Sequence, residues 1–206
     1  MNLREVEHFV QQLGGIFSLQ QLQLREPTFL RSNLIRWQQQ GYIKRITKWR
    51  YFFPSEQLNA GTLYQCSNKI YSPSYISMES ALRYYDLIPE WVFTTTACTT
   101  KKTQILSGDM GTFRYSHIKP SLFRWYHVIV NERTQQTYLL ADVEKTICDF
   151  FYLKPHLTEE DFSELRINEY RLWELTTPEK LQQCADAFKV VRISSLIQHF
   201  ISFLQS

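Results

Sequence analysis

Apolar residues recur at helical spacing from the first residues of the chain. Leu3, Val6, Phe9, Val10 and Leu13 share one face of a helix predicted over residues 2–13, and Gly14-Gly15 ends it. A shorter helix follows at Ser18 to Leu24, with Ser18 placed to cap it. The next segment starts at Pro27, which suits a first helical turn because its missing N–H has no intrahelical partner there. It ends at Gly41, which can take the left-handed conformation that closes a helix. Leu30, Leu34 and Trp37 then form one buried stripe, and Thr28, Arg31, Ser32 and Arg36 point away from it. Two basic, aromatic strands come next, Tyr42 to Ile46 and Trp49 to Phe53. The intervening Thr47-Lys48 lacks the Asn-Gly or glycine residues of a tight two-residue turn, which predicts a longer or looser wing.

Helix, helix and a basic hairpin, in that order, are the parts of a winged helix-turn-helix, predicted over residues 1–54. Charge agrees with this placing. Of the chain's 23 lysines and arginines, seven lie between Arg25 and Arg50, against one of its 20 acids, Glu26. The remainder holds 16 bases and 19 acids, so the net charge of +3 arises entirely in this segment. Local clustering of this kind drives phosphate binding through counterion release. The expected DNA-binding residues are Thr28, Arg31, Ser32 and Arg36 on the second helix and Arg45, Lys48 and Arg50 on the wing.

Residues 55–69 read as a connection, containing Gly61 and room for a short helix or strand. Residues 70–206 read as a second, mixed α+β domain. Ile76 to Leu87 fits a helix with Ser77 as cap, stopped by Pro89. Strands are predicted at Val92 to Thr96, Thr103 to Leu106, Gly111 to His117, Tyr126 to Val130 and Tyr138 to Leu140. Gly108-Asp109 and Asn131-Glu132 mark turns. From Asp142 the period becomes helical, with Val143, Ile147, Phe150 and Phe151 on one side. Thr158 opens another helix, and Thr177-Pro178-Glu179 is a further start signal. A last helix over Ile193 to Leu204 presents Ile193, Leu196, Ile197, Phe200 and Leu204.

Composition narrows the chemistry. The 206 residues are 44% hydrophobic with only 6 glycines, enough for a packed core and against a disordered chain. Cys66, Cys98, Cys148 and Cys184 are far apart in sequence and read as separate buried or half-buried thiols of a reduced compartment. The charged start is no signal peptide, and no run is apolar enough to span a bilayer, so a cytoplasmic protein without membrane attachment is expected. The five histidines are scattered without metal-ligand spacing. No glycine-rich phosphate loop or nucleophile elbow is present. Thr94 to Lys102 reads as a threonine-rich strand and a solvated turn before it reads as a phosphate site.

Asp142, Glu144, Lys145 and Asp149 invite a metal-dependent nuclease reading. Their spacing argues against it, since Glu144-Lys145 are adjacent at a helix start, where acids favour the positive end of the dipole. No catalytic residue, metal or cofactor is therefore assigned.

The segment Tyr75 to Leu153 carries an ordered set of words: YISMESALRYYDLIPE, TTT, TKK, GTFRYSHIKPSLF and ADVEKTICDFFYL. Behind a winged helix-turn-helix, this order resembles the AbiEi antitoxin family of type IV toxin–antitoxin systems. Asp86, where relatives often have glycine, and Val143, where proline is common, depart from the family pattern. The resemblance implies an antitoxin that binds the promoter of its own operon and counters a nucleotidyltransferase-like toxin, without requiring a stable complex with it. The alternative from the residues is a plain repressor whose second domain senses a ligand or dimerises.

Overall fold

A computed structural model describes residues 1–13, 15–54, 59–130 and 137–206. The Asn131-Glu132 turn and Gly14 lie outside the described residues. The architecture is mixed α+β, with one small sheet and one six-stranded mixed sheet.

The chain opens with α1 (Leu3–Gln12), β1 (Ile16–Phe17), α2 (Leu19–Arg25), α3 (Arg31–Gln39), β2 (Lys44–Thr47) and β3 (Arg50–Phe52). The small sheet has the order β1-β3-β2, all antiparallel. Asn2 and Ser18 cap α1 and α2 through reciprocal bonds with Glu5 and Gln21, so each helix start satisfies two orphan donors locally. Three helices and three strands enclose a core of Val6, Val10, Phe17, Leu22, Phe29, Leu34, Trp37 and Ile43.

Helix α3 starts later than its sequence suggests. Pro27 and Thr28 occupy a turn closed by the Phe29 amide on the Glu26 carbonyl at 2.9 Å, and Leu30 is the N-cap. That turn sends Phe29 into the core and leaves Leu30 64% exposed, so the buried set is Phe29, Leu34 and Trp37. The far end follows expectation. Gly41 has φ +76°, the Tyr42 amide reaches the Trp37 carbonyl and the Gly41 amide reaches Gln38, the double bond of a Schellman stop.

The β2–β3 turn is tight rather than loose. Lys48 and Trp49 join Thr47 to Arg50, and a register shift between Arg45 and Thr47 leaves Ile46 as the extra residue. The bulge adds the local twist that a glycine turn would otherwise provide.

The 55–69 segment, read as a connection with room for a short element, holds most of α4 (Ala60–Ile70), an eleven-residue helix capped by Asn59. The remaining elements are β4 (Ser74–Ile76), α5 (Glu79–Tyr84), β5 (Thr94–Thr99), β6 (Gln104–Gly108), β7 (Gly111–His117), β8 (Tyr126–Val130), β9 (Thr137–Ala141), α6 (Val143–Leu153), α7 (Glu169–Leu175), α8 (Pro178–Asp186) and α9 (Val191–Leu204). The large sheet runs β6-β7-β5-β4-β9-β8, with β5/β7 and β4/β9 parallel.

Strand alternation divides its two faces. Tyr75, Cys98 and Ala141 face a helical layer containing Ile147, Phe151, Leu181, Ile197 and Phe200. Ile76, Ala97, Phe113, Tyr115 and Leu140 face the other way, toward Tyr64 and Cys66 of α4. Ile16 and Ile46 are buried in this second cluster, so the small sheet packs on the same face as α4.

Two further helix starts differ from expectation. Ser77 does not cap α5; Met78 does, at φ 57°, and the Ser77 hydroxyl turns inward. Thr158 opens a 3-10 helix over Glu159–Leu165 rather than an α-helix, held by its reciprocal bond with Asp161. Cys66, Cys98 and Cys148 are buried and Cys184 is half-buried, all as free thiols.

Candidate functional site

The basic segment gathers around α3 and the β2–β3 hairpin. Leu34 and Trp37 are buried, so Arg31, Ser32, Ile35, Arg36 and Gln39 form the exposed face of α3. Arg36 is steadied by a bond from Nη2 to Asn33 Oδ1 at 3.3 Å. Thr28 is exposed but stands in the turn before the helix, so it does not share that helical face. On the hairpin, Arg45 and Lys48 are exposed and Arg50 is half-buried. The Lys48 ammonium lies 5.2 Å from the centre of the Trp49 ring.

A small cleft of about 130 Å³ lies among Ser18, Leu19, Gln20, Arg31, Trp49 and Tyr51. It brings the start of α3 to the turn of the hairpin. Trp49 in this cleft and Ile35 on the exposed face of α3, 59% and 48% exposed, were not among the expected residues. The basic, aromatic character of the hairpin was the available sign for Trp49, but it placed that residue in a strand rather than at the tip.

A residue from the large sheet completes the arrangement. Asp109, in the turn between β6 and β7, accepts bonds from Gln38 Nε2 of α3 and from the Arg45 amide of β2, each at 3.0 Å. One carboxylate oxygen therefore ties α3, β2 and the β6–β7 turn together. Its neighbour Gly108 lies so close that a Cβ there would fall 2.1 Å from the Ile46 carbonyl oxygen.

The acids near α6 have separate partners. Asp142 is the N-cap of α6, yet its side chain bonds His127 Nδ1 at 2.7 Å instead of capping. Glu144 is half-buried and accepts the Thr176 hydroxyl, so it is not the exposed helix-start acid its position suggested. Lys145 and Asp149 form an ion pair with both side chains fully buried. Asp149 Oδ2 also accepts from Tyr75 at 2.8 Å, from Ser77 at 2.9 Å and from the Cys98 thiol at 3.6 Å. Burial, and then the Asp149 charge, push the Tyr75 and Cys98 pKa values well up, which keeps both groups protonated and donating. The Lys145 ammonium lies 4.5 Å from the Phe188 ring centre. Every polar group of this cluster has a partner, which is what a buried charge requires. Among the described residues, no group of three or more His, Cys, Asp or Glu is arranged to hold a metal.

No helix among the described residues is long and apolar enough to cross a membrane. The chain matches no model of a known protein family, and no curated protein is similar to it in sequence.

Proposed function

We propose that residues 1–54 are a winged helix-turn-helix that binds duplex DNA at the promoter of the protein's own operon. The observation that carries this reading is the exposed face of α3. Arg31, Ser32 and Arg36 stand together there, beside a basic hairpin, while Leu34 and Trp37 hold the opposite face in the core. The order α1-β1-α2-α3-β2-β3 and the sheet order β1-β3-β2 support it. In this reading α3 enters the major groove and Arg45, Lys48 and Arg50 lie along phosphates.

The test is fluorescence anisotropy with the chain's own upstream DNA and a scrambled duplex. Arg31→Ala or Arg36→Ala should each weaken specific binding by about 1–3 kcal/mol. Lys48→Ala and Arg50→Ala should weaken all sequences alike and reduce the salt slope by about one each. Unchanged affinity in both α3 variants would remove the assignment.

A second reading concerns the rest of the chain. The ordered words between Tyr75 and Leu153 resemble AbiEi antitoxins, and they favour a cytoplasmic, non-catalytic antitoxin that neutralises a nucleotidyltransferase-like toxin, with or without a stable complex. A plain repressor is the competing role. Co-expression with a toxin encoded next door, under a foreign promoter, separates the two: an antitoxin rescues growth and a repressor does not. DNA binding is best removed there by Arg31→Ala with Arg36→Ala in the full chain. Cutting away the first domain would expose apolar residues of the large sheet that pack against Ile16 and Ile46.

A further inference from the structure

The helical layer of the large sheet covers only part of its face. It buries Tyr75 of β4, Cys98 of β5 and Ala141 of β9, and no residue of β6 or β7 joins that cluster among the described residues. Where the layer stops, a ledge of about 540 Å³ opens over β5 and β7. This volume lies within the range of small-molecule sites, about 300–1,000 Å³. Its apolar floor and wall include Leu82, Ile88, Phe150 and Ile167. At its rim stand Trp91 and Phe93, 79% and 90% exposed, an arrangement that costs apolar hydration unless something covers them.

The charges of the ledge are unequal in their partners. Lys154 is held by Glu79 at 2.6 Å, and Glu90 by Arg166 at 3.3 Å. The Arg114 guanidinium makes no hydrogen bond or ion pair among the described residues. It sits on β7 opposite Thr96 of β5, on the face turned away from Phe113 and Tyr115, so a paired strand fixes its base. A guanidinium fork so placed suits bidentate binding of a carboxylate. Glu164, likewise unpaired, lines the same ledge and disfavours a second negative charge on a ligand.

We propose that this ledge binds a small organic monoanion: a flat apolar body seated against Phe150 and Ile167, covered by Trp91 and Phe93, with its carboxylate on Arg114. The site is independent of the DNA-binding reading. Its Arg114 lies on β7, the strand that follows the turn carrying Asp109.

The test uses 1-naphthoate as probe, titrated into the full chain by calorimetry. Saturable one-to-one binding is expected. Arg114→Gln should weaken it about tenfold or more, the weight of a charge-assisted bond, and thermal melts should be unchanged because Arg114 is exposed. Phe93→Ala should weaken it several-fold. The cationic isostere 1-naphthylmethylammonium and the chain acid decanoate should both bind more weakly than naphthoate. Absence of saturable naphthoate binding, or equal affinity in Arg114→Gln, would overturn the proposal. Tighter binding of the cation would assign the ledge to Glu164 instead, and tighter binding of decanoate would refute the flat body.

Discussion

Asp109 and Arg45 hold each other through two bonds. The Asp109 carboxylate accepts from the Arg45 amide at 3.0 Å, and the Asp109 amide donates to the Arg45 carbonyl at 2.8 Å. The same oxygen takes Gln38 of α3. Asp109→Ala removes both side-chain bonds and should cost about 1–2 kcal/mol, two bonds of ordinary net worth. Asp109→Asn keeps a carbonyl oxygen in place and should retain most of that stability. Amide exchange at Arg45 checks the origin of the loss, since it should quicken in the alanine variant alone. Equal exchange in both variants would refute the clamp.

Gly108 tests the same junction sterically. A methyl group there would meet the Ile46 carbonyl oxygen at 2.1 Å and its carbon at 2.6 Å, and backbone cannot swing aside as a side chain can. Gly108→Ala should therefore destabilise by about 1–3 kcal/mol through overpacking, read as a lower melting temperature. Faster exchange confined to β2 and the β6–β7 turn would locate the strain. An unchanged melt would mean that the close approach is not kept in solution.

The Lys145–Asp149 pair makes a larger demand. Both side chains are fully buried, so removing one charge strands the other. Lys145→Met should cost about 3–5 kcal/mol, the usual result of breaking a buried pair. Adding Asp149→Asn to that variant should recover part of the loss, because the remaining group is neutral and can still accept from Tyr75 or Ser77. Denaturant melts of the two variants decide it; a double variant no more stable than Lys145→Met alone would count against the explanation.

Alkaline stability follows from Cys66 and Tyr64. Burial pushes the Cys66 thiol from its ordinary 9.0 to about 12 and the Tyr64 phenol from 10.0 to about 12. The folded chain thus keeps protons that the unfolded chain gives up. Their contribution is complete below pH 9, and it is lost as pH rises from there toward 12. Urea midpoints should fall across that window. Replacing Cys66 with alanine should flatten the early part of the fall; an identical pH profile would rule out the thiol as a source.

Several local features were legible in the residues themselves. Ser18 and Thr177 cap the helices that follow them, Gly41 closes α3 in the left-handed region, and β7 and β8 begin and end at the residues expected from the sequence. The exposed face of Arg31, Ser32 and Arg36 was legible too, and so was the charge cluster around it. These features depend on neighbours within a few positions, because a cap reaches three residues and a strand face repeats every two.

Where the local signal was ambiguous, tertiary packing decided. Ser77 looked like a helix cap, yet its hydroxyl serves Asp149, 72 residues away. Phe29 and Leu30 are adjacent and equally apolar, and only the turn closed at Glu26 selects Phe29 for the core. Lys145 and Asp149 stood in the sequence only as members of a group of acids with a lysine; in the fold they pair four apart on α6, against which α8 and α9 pack, and both side chains are fully buried. Asp109 read as a turn residue, and its hold on Arg45 spans 64 positions. For Ser77 and Asp109 the partner is supplied by a distant return of the chain, so its identity is a property of the packed whole rather than of any sequence window.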